Sequence, residues 1–197
     1  MRYRITLEGT SPLIMNNGAA GLDTRSPANQ EKAEISKKRG SNRTESDDRR
    51  IRSLETQTSL WLDENLRPTI PERALRAVIE TGARKVKQGP QVREGLIVER
   101  TEYFDYDTSL GETPEELGET VQFTVGVVVQ RSRILRTRAK FDEWSVTFTV
   151  EVDDELVDEE QLWNWLDLSG RRIGIGDWRP EKSGHYGRFA IKQLEKV

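Results

Sequence analysis

Cysteine is absent from the sequence, and histidine occurs once, at His185. The absence of cysteine excludes disulfide bonds, thiolate nucleophiles and cysteine-ligated zinc or iron–sulfur sites. A single histidine also excludes metal sites built from several imidazoles. No apolar run approaches the ~18 residues that cross a bilayer, and the first residues alternate in polarity where a signal peptide would carry an apolar block. We therefore expect a soluble, cytoplasmic protein with no membrane association, no metal and no cofactor.

Charged residues make up 33% of the 197 residues, and they are segregated by sign. Basic residues outnumber acidic ones nine to five between Arg25 and Arg52, and five to none between Arg131 and Lys140. Acidic residues dominate over residues 99–119 and 142–160. A surface whose only role was to keep the protein soluble would intersperse positive and negative charges. The segregation therefore indicates one face for a polyanion and another for solvent or a basic partner.

Alternating apolar and polar residues predict strands, and apolar residues at three- and four-residue steps predict helices. Tyr3, Ile5 and Leu7 mark the first strand. Further strands are predicted over residues 96–104, 122–129, 144–152 and 189–192, and helices at 45–61, 71–89 and 158–170. This order predicts an α+β fold, a ferredoxin-like (RRM-like) antiparallel sheet with both helices on one face and the other face free to meet a ligand.

We expect residues 1–197 to form a single domain with two additions. A long charged insertion follows the first strand, at about residues 16–66, with a partial helix at 31–39 and a helix that Thr44 caps. A basic hairpin joins the strands at 122–129 and 144–152, with its tip at about residues 131–142. Residues 105–119, which are acidic and contain Gly and Pro, are predicted to form a loop.

The basic hairpin is the first candidate site, because closely spaced cations bind the phosphates of nucleic acids. The polar face of the helix after Pro71 supplies further cations. The candidates of this group are Arg131, Arg133, Arg136, Arg138, Lys140, Arg73 and Arg76.

The segment from Ile173 to Phe189 is the second candidate site. Its glycines let the backbone approach a ligand and present N–H groups, its cations suit phosphates, and its rings suit unstacked bases. A glycine-rich turn between a helix and a strand is the plainer interpretation. The candidates of this group are Trp178, Arg179, Lys182, Gly184, His185, Tyr186 and Arg188.

Three short stretches resemble the RAMP superfamily, the ferredoxin-like proteins that form the crRNA-binding backbone of CRISPR effector complexes. They are the opening strand running into Thr10-Ser11-Pro12-Leu13, the Pro-Thr-Ile-Pro-Glu-Arg-Ala-Leu-Arg-Ala stretch from Pro68 to Ala77, and the glycine-rich closing segment. The resemblance implies an RNA-binding protein whose copies lie side by side on a single strand, with CRISPR effector subunits as partners. A diverged, stand-alone relative encoded by a phage fits the same stretches.

The sequence thus favours a non-enzymatic protein that binds single-stranded nucleic acid, RNA or ssDNA, and forms a homo-oligomer or filament on it. One alternative is a phage ssDNA-binding or recombination accessory protein, and another is a protein-interaction module that binds no nucleic acid. A metal-dependent nuclease using Asp23 or the Asp47/Asp48 pair is a third alternative. His185 is more readily a stacking or hydrogen-bonding residue than a general base.

Overall fold

The computed structural model describes residues 1–129 and 132–197, without the side chains of residues 128, 129 and 132. The strands in this part of the chain are β1 (Arg2–Gly9), β2 (Leu13–Ile14), β3 (Leu96–Asp105), β4 (Gln122–Val129), β5 (Ser132–Phe141), β6 (Ser145–Val152) and β7 (Phe189–Lys196). The helices are α1 (Gly18–Leu22), α2 (Pro27–Lys37), α3 (Glu45–Ser59), α4 (Glu72–Lys85), α5 (Gly89–Gly95), α6 (Pro114–Thr120) and α7 (Glu159–Arg172). The predicted α+β class with antiparallel strand pairing is confirmed.

The chain divides into two compact units, each assembled from separate stretches of sequence. The first unit consists of Met1–Ile14, Pro68–Asp107 and Phe141–Val197. The second unit consists of Met15–Arg67 and Thr108–Lys140. The stretch of about residues 16–66 that the sequence marks as an insertion therefore lies entirely in the second unit, together with a later segment of the chain.

The first unit is built on a four-stranded sheet with the order β3-β6-β1-β7, in which every neighbouring pair is antiparallel. Its main elements follow in the chain as β1, α4, β3, β6, α7 and β7, with α5 directly before β3. In β1 the buried residues Tyr3, Ile5 and Leu7 alternate with polar neighbours, of which the charged ones are exposed. The two-residue period of the sequence thus sets which face of the strand enters the core.

Helices α4 and α7 pack against each other in the first unit. Leu75 and Ile79 of α4 and Trp165 of α7 are fully buried, which contributes roughly 1.5–3 kcal/mol for each side chain. Asp158 caps α7 by accepting a hydrogen bond from the backbone N–H of Gln161 at 2.7 Å. The predicted helices after Pro71 and Asp158 are therefore confirmed.

The second unit combines α1, α2, α3 and α6 with the hairpin of β4 and β5. Helix α3 begins at the expected cap, where Thr44 and Asp47 form a reciprocal capping box. The hairpin pairs Gln122 with Ala139 at one end and Val129 with Ser132 at the other. Two backbone N–H groups of β5 donate to α3, since Thr137 bonds to the Glu55 carboxylate at 2.9 Å and Ala139 bonds to the Ser59 hydroxyl at 2.8 Å.

Two predictions about the middle of the chain are wrong. The segment that was expected to connect two strands is itself strand β5, and it pairs with β4, whereas β6 pairs with β1 and β3. Buried Thr137, Ala139 and Phe141 alternate with the cations, which is the strand period that the high charge obscured. The expected loop over 105–119 contains most of helix α6, which Thr113 and Glu116 begin with a capping box.

None of the helices in the described part of the chain has both the length and the apolar character needed to cross a bilayer.

Candidate nucleic-acid interface

Strand β5 carries three of the candidate cations on one face. Arg136, Arg138 and Lys140 occur at every second position and are half-buried, so they share a face and are spaced about 6.6–6.8 Å apart along the strand. Arg133 is exposed and has the opposite parity, which assigns it to the other face. Arg131 lies outside the described residues.

Strand β4 supplies apolar neighbours on the same face as these cations. Phe123 is directly opposite Arg138, and Val125 is directly opposite Arg136. Both apolar side chains are half-buried rather than buried. The ammonium of Lys140 lies 5.7 Å from the centre of the Phe123 ring, within the range of a cation–π interaction. We call the face formed by Phe123, Val125, Arg136, Arg138 and Lys140 the basic face.

Arg136 is held by an acidic side chain of α3. Its guanidinium lies 3.2 Å from the Glu55 carboxylate, and the side chain of Glu55 is only 10% exposed while that of Arg136 is 41% exposed. The same carboxylate accepts the hydrogen bond from the backbone N–H of Thr137. This arrangement fixes the position of Arg136, but it also offsets part of its charge.

Lys32 of α2 lies close to the same group of charges. The pKa of Lys32 is lowered from its ordinary value, chiefly because burial disfavours the charged ammonium; Glu55 acts in the opposite direction, and Arg136 and Arg138 lower it further. Sequence reasoning missed both Lys32 and Glu55. The available signal was the position of Lys32 between Ala28 and Ile35, on the stripe of α2 that faces inward.

Most of the basic residues between 25 and 52 are paired with acidic residues of the second unit. Arg50 makes two hydrogen bonds to Glu31, at 2.7 and 2.8 Å, and Lys38 lies 2.6 Å from Asp47. The other pairs are Arg25–Asp23, Lys37–Glu34, Arg43–Asp48 and Arg49–Glu45. Six of the nine cations of this segment are therefore engaged by nearby carboxylates, while the segment keeps a net positive charge. Asp23, Asp47 and Asp48, the candidate nuclease residues, all belong to these pairs.

The glycine-rich segment of the first unit directs several N–H groups inward. Gly184 donates to the carbonyl of Arg179 at 3.0 Å, and Gly187 donates to the carbonyl of Pro12 at 2.8 Å. A Cβ atom at Gly184 would lie 1.6 Å from the carbonyl oxygen of Trp178. These two glycines thus allow backbone segments of the protein to meet, and their N–H groups are used within the protein rather than offered to a phosphate.

The charged and aromatic candidates of the first unit are dispersed over several contacts. Arg179 pairs with Glu181 at 2.8 Å and donates to the carbonyl of Gly176, and Arg188 donates to the carbonyl of Arg171. Lys182 and His185 are exposed, and Trp178 and Tyr186 are half-buried. On α4, Arg73 is exposed and Arg76 donates to the carbonyl of Arg93 at 3.2 Å. Arg179, Arg188 and Arg76 therefore help to hold their own unit together.

The face of β1 that points away from the buried side chains is occupied by ion pairs. Arg2 pairs with Glu99, Arg4 with Glu102, and Lys192 with Glu8 at 2.9 Å. This face was expected to be free for a ligand, and its cations instead meet carboxylates of other strands in the same sheet.

Among the described residues, no group of three or more histidine or acidic side chains is arranged to hold a metal ion. The sequence matches no model of a known protein family, and no significant match was found among curated proteins.

Proposed function

We propose that this protein binds single-stranded nucleic acid through the basic face and that it does so without catalysis. The observation that carries the proposal is the repeat of Arg136, Arg138 and Lys140 at two-residue steps beside a half-exposed aromatic ring. Cations at regular intervals follow an extended sugar–phosphate chain, and Phe123 offers a surface on which a base stacks. Stacking on one ring and contacts with phosphates are independent of base sequence, so binding is general rather than sequence-specific.

RNA is the favoured ligand because of the resemblance to the RAMP superfamily, and we propose that the first unit is a ferredoxin-like domain of this kind. The antiparallel order β3-β6-β1-β7, joined through α4 and α7, supports that proposal because strand–helix–strand–strand–helix–strand is the ferredoxin-like element order. In this proposal, copies of the protein assemble side by side on one strand of nucleic acid in the cytoplasm. The protein is then a CRISPR effector subunit or a phage-encoded relative.

Fluorescence anisotropy with a labelled 20-nucleotide oligouridylate tests the binding proposal, and oligothymidylate of the same length compares RNA with DNA. The variant R138Q/K140Q removes two cations of the basic face. We expect its affinity to fall and the slope of log affinity against log salt to shrink by about 1.4, since each phosphate contact on a single strand contributes about 0.7.

The matched control R39Q/R100Q removes two exposed cations outside the basic face, one from each unit. It should bind with the wild-type slope. Equal slopes for R138Q/K140Q and the wild type would overturn the proposal. Size-exclusion chromatography with and without the oligonucleotide tests assembly: oligomers that form only with nucleic acid support it, and polymers that form without ligand favour the protein-interaction module.

A further inference from the structure

Helix α2 places a lysine where its amphipathic pattern calls for an apolar residue. Ala28, Lys32 and Ile35 follow one another at steps of four and three, the spacing of one helical face, and Ile35 is buried. The residues on the opposite face, such as Lys37, are exposed. A lysine on the inward stripe loses part of its hydration, so its position there needs a reason beyond solubility.

Two ion pairs fix α2 against α3 on either side of Lys32. Arg50 donates from Nε and one Nη to the two carboxylate oxygens of the neighbouring Glu31, and Lys38 binds Asp47 at the end of α2. These contacts hold α2 against α3. Lys32 is half-buried on this fixed helix and lies within electrostatic range of Glu55.

Lys32 and Arg136 of the second unit thus both interact with one carboxylate, and Arg138 lies within electrostatic range of Lys32. Lys32 of α2 interacts electrostatically with Glu55, Arg136 and Arg138. Glu55 uses one oxygen for Arg136 and the other for the backbone N–H of Thr137. Both carboxylate oxygens are thus engaged by strand β5, and no hydrogen bond joins Glu55 to Lys32 among the described contacts.

We infer that Lys32, Arg136 and Arg138 together bind one phosphate group, with Glu55 holding the Arg136 guanidinium in the required position. A phosphate oxygen accepts hydrogen bonds from an ammonium and from guanidinium groups at once, and it relieves the repulsion among the three cations. This inference rests on the proposed function and deepens it, because it extends the basic face from strand β5 to helix α2. The phosphate is either a diester of a nucleic-acid strand or a free phosphate monoester.

The charges that face Lys32 also predict how protons couple to binding. Glu55 of α3 raises its pKa, whereas Arg136 and Arg138 of β5 and the burial of the ammonium lower it. A bound phosphate adds negative charge and raises that pKa again. Binding therefore takes up protons in the alkaline range, and affinity falls as the pH rises there.

The first experiment compares K32M with K37M by anisotropy on the labelled oligouridylate. Methionine keeps the length of the side chain and removes its charge, and Lys37 lies on the exposed face of the same helix. We expect K32M to lose about 0.7 from the salt slope, equivalent to one phosphate contact, and K37M to keep the wild-type slope. A K32M protein with the wild-type slope would overturn the inference, even if it melts at a lower temperature.

The second experiment uses the wild-type protein, so it does not depend on the folding of any variant. Lysines are acetylated with acetic anhydride and quantified by mass spectrometry, with Lys37 as the internal reference. The bound oligouridylate should slow the acetylation of Lys32 at least several-fold relative to Lys37. Unchanged acetylation of Lys32 in the presence of saturating oligonucleotide would contradict the inference.

Two additional acetylation measurements, with different phosphate compounds, identify the source of the phosphate. Protection of Lys32 by inorganic phosphate or uridine 5′-monophosphate supports a site that accepts free monoesters, and protection by the oligonucleotide alone supports a site for the diester. If R138Q/K140Q binds weakly while K32M binds normally, the inference fails and the proposed function stands. If every variant binds like the wild type, both fail.

Discussion

The carboxylate of Glu55 accepts a hydrogen bond at 2.9 Å from the backbone N–H of Thr137, which joins helix α3 to strand β5. Its second oxygen lies 3.2 Å from the guanidinium of Arg136. Buried N–H groups of a strand that find no partner on a neighbouring strand need another acceptor. Here a buried carboxylate and the hydroxyl of Ser59 satisfy two of them. The same contacts position the cations of the basic face, so the stability of the second unit and its proposed function depend on the same residues.

Glu55→Ala should destabilise the protein by about 2–4 kcal/mol, since it leaves the N–H of Thr137 without an acceptor and Arg136 without its partner. Because Arg136 is 41% exposed, water compensates part of the loss on that side. Glu55→Gln keeps a carbonyl oxygen for Thr137 and should cost less. Urea unfolding followed by circular dichroism measures both free energies.

Glu34→Ala is the control for that measurement. The side chains of Glu34 and Lys37 are each 70% exposed. Ion pairs of this kind contribute no more than about 0.5 kcal/mol to the free energy of unfolding. Equal losses for Glu55→Ala and Glu34→Ala would show that Glu55 does not hold α3 to β5.

The glycines of the closing segment give a second prediction. At Gly187 the backbone has φ of 69°, and a Cβ atom would lie 1.7 Å from the carbonyl oxygen of Ile175. At Gly184 the corresponding distance to the carbonyl oxygen of Trp178 is 1.6 Å. Alanine at either position forces backbone segments apart, so each substitution should cost more than about 3 kcal/mol or prevent folding. Thermal unfolding of purified protein measures the effect.

Gly126 is the matched control, because nothing lies within 4 Å of a Cβ atom built there. Gly126→Ala should be neutral or slightly stabilising, since alanine suits a strand better than glycine does. If Gly184→Ala and Gly187→Ala were as stable as Gly126→Ala, these glycines would not be required by packing. A loss of oligonucleotide binding without a loss of stability would instead assign them to the ligand.

The elements that sequence reasoning predicted correctly are those with local signals. Thr44 caps α3 and Asp158 caps α7 because a side-chain oxygen next to a helix start bonds to nearby N–H groups, whatever the rest of the chain does. The same rule applied to Thr113-Pro114-Glu115-Glu116 would have predicted α6. That capping pattern is present in the sequence, but the acidic composition of the segment favoured its interpretation as a loop.

Strand pairing could not be predicted in the same way, because partners are chosen by contacts far apart in sequence. Residues 122–129 and 144–152 both alternate, and nothing local says that the first pairs with β5 while the second pairs with β1 and β3. The group around Lys32 is non-local too, since α2 and β5 lie about a hundred positions apart in the sequence. Only the odd position of Lys32 on an inward stripe marked it in advance.

A third prediction concerns the pH dependence that Asp47 imposes. The pKa of Asp47 is lowered to about 2, mainly because the Lys38 ammonium donates to its carboxylate, and the backbone N–H of Thr44 adds to the effect. The ordinary value is 3.8, so the unfolded chain takes up a proton before the folded one. The contribution of Asp47 to stability is therefore complete above about pH 5, and it is lost as the pH falls toward 2.

Titration of the Asp47 carboxyl carbon by NMR measures this pKa directly. Lys38→Met removes the principal donor, so it should raise the pKa of Asp47 toward 3.8 and make the acid unfolding curve less steep. An unchanged pKa in Lys38→Met would show that the capping contacts with Thr44 alone lower it. Thr44→Ala, which removes the hydroxyl but keeps the backbone N–H, then measures the smaller contribution of the side chain.

For the replacement of Gly82 by alanine, helix propensity predicts a gain in stability and packing predicts a loss. In an exposed helix, replacing glycine by alanine gains about 1 kcal/mol. A Cβ atom at Gly82, however, would lie 2.6 Å from the carbonyl oxygen of Trp165 and 2.1 Å from the Ser169 hydroxyl, across the contact between α4 and α7. The hydroxyl cannot simply turn away, because it donates to the carbonyl of Val78 at 2.8 Å.

We therefore expect Gly82→Ala to destabilise the first unit, by more than the propensity gain of about 1 kcal/mol. Ala77→Gly is the control, since Ala77 is exposed on the same helix and should lose about that amount through propensity alone. The double variant G82A/S169A removes the nearer clash and leaves the backbone of Trp165, so it should recover only part of the loss. A Gly82→Ala protein more stable than the wild type would mean that α4 and α7 move apart at little cost. Whether Gly82→Ala lowers or raises the free energy of unfolding thus shows how rigidly α4 and α7 are packed.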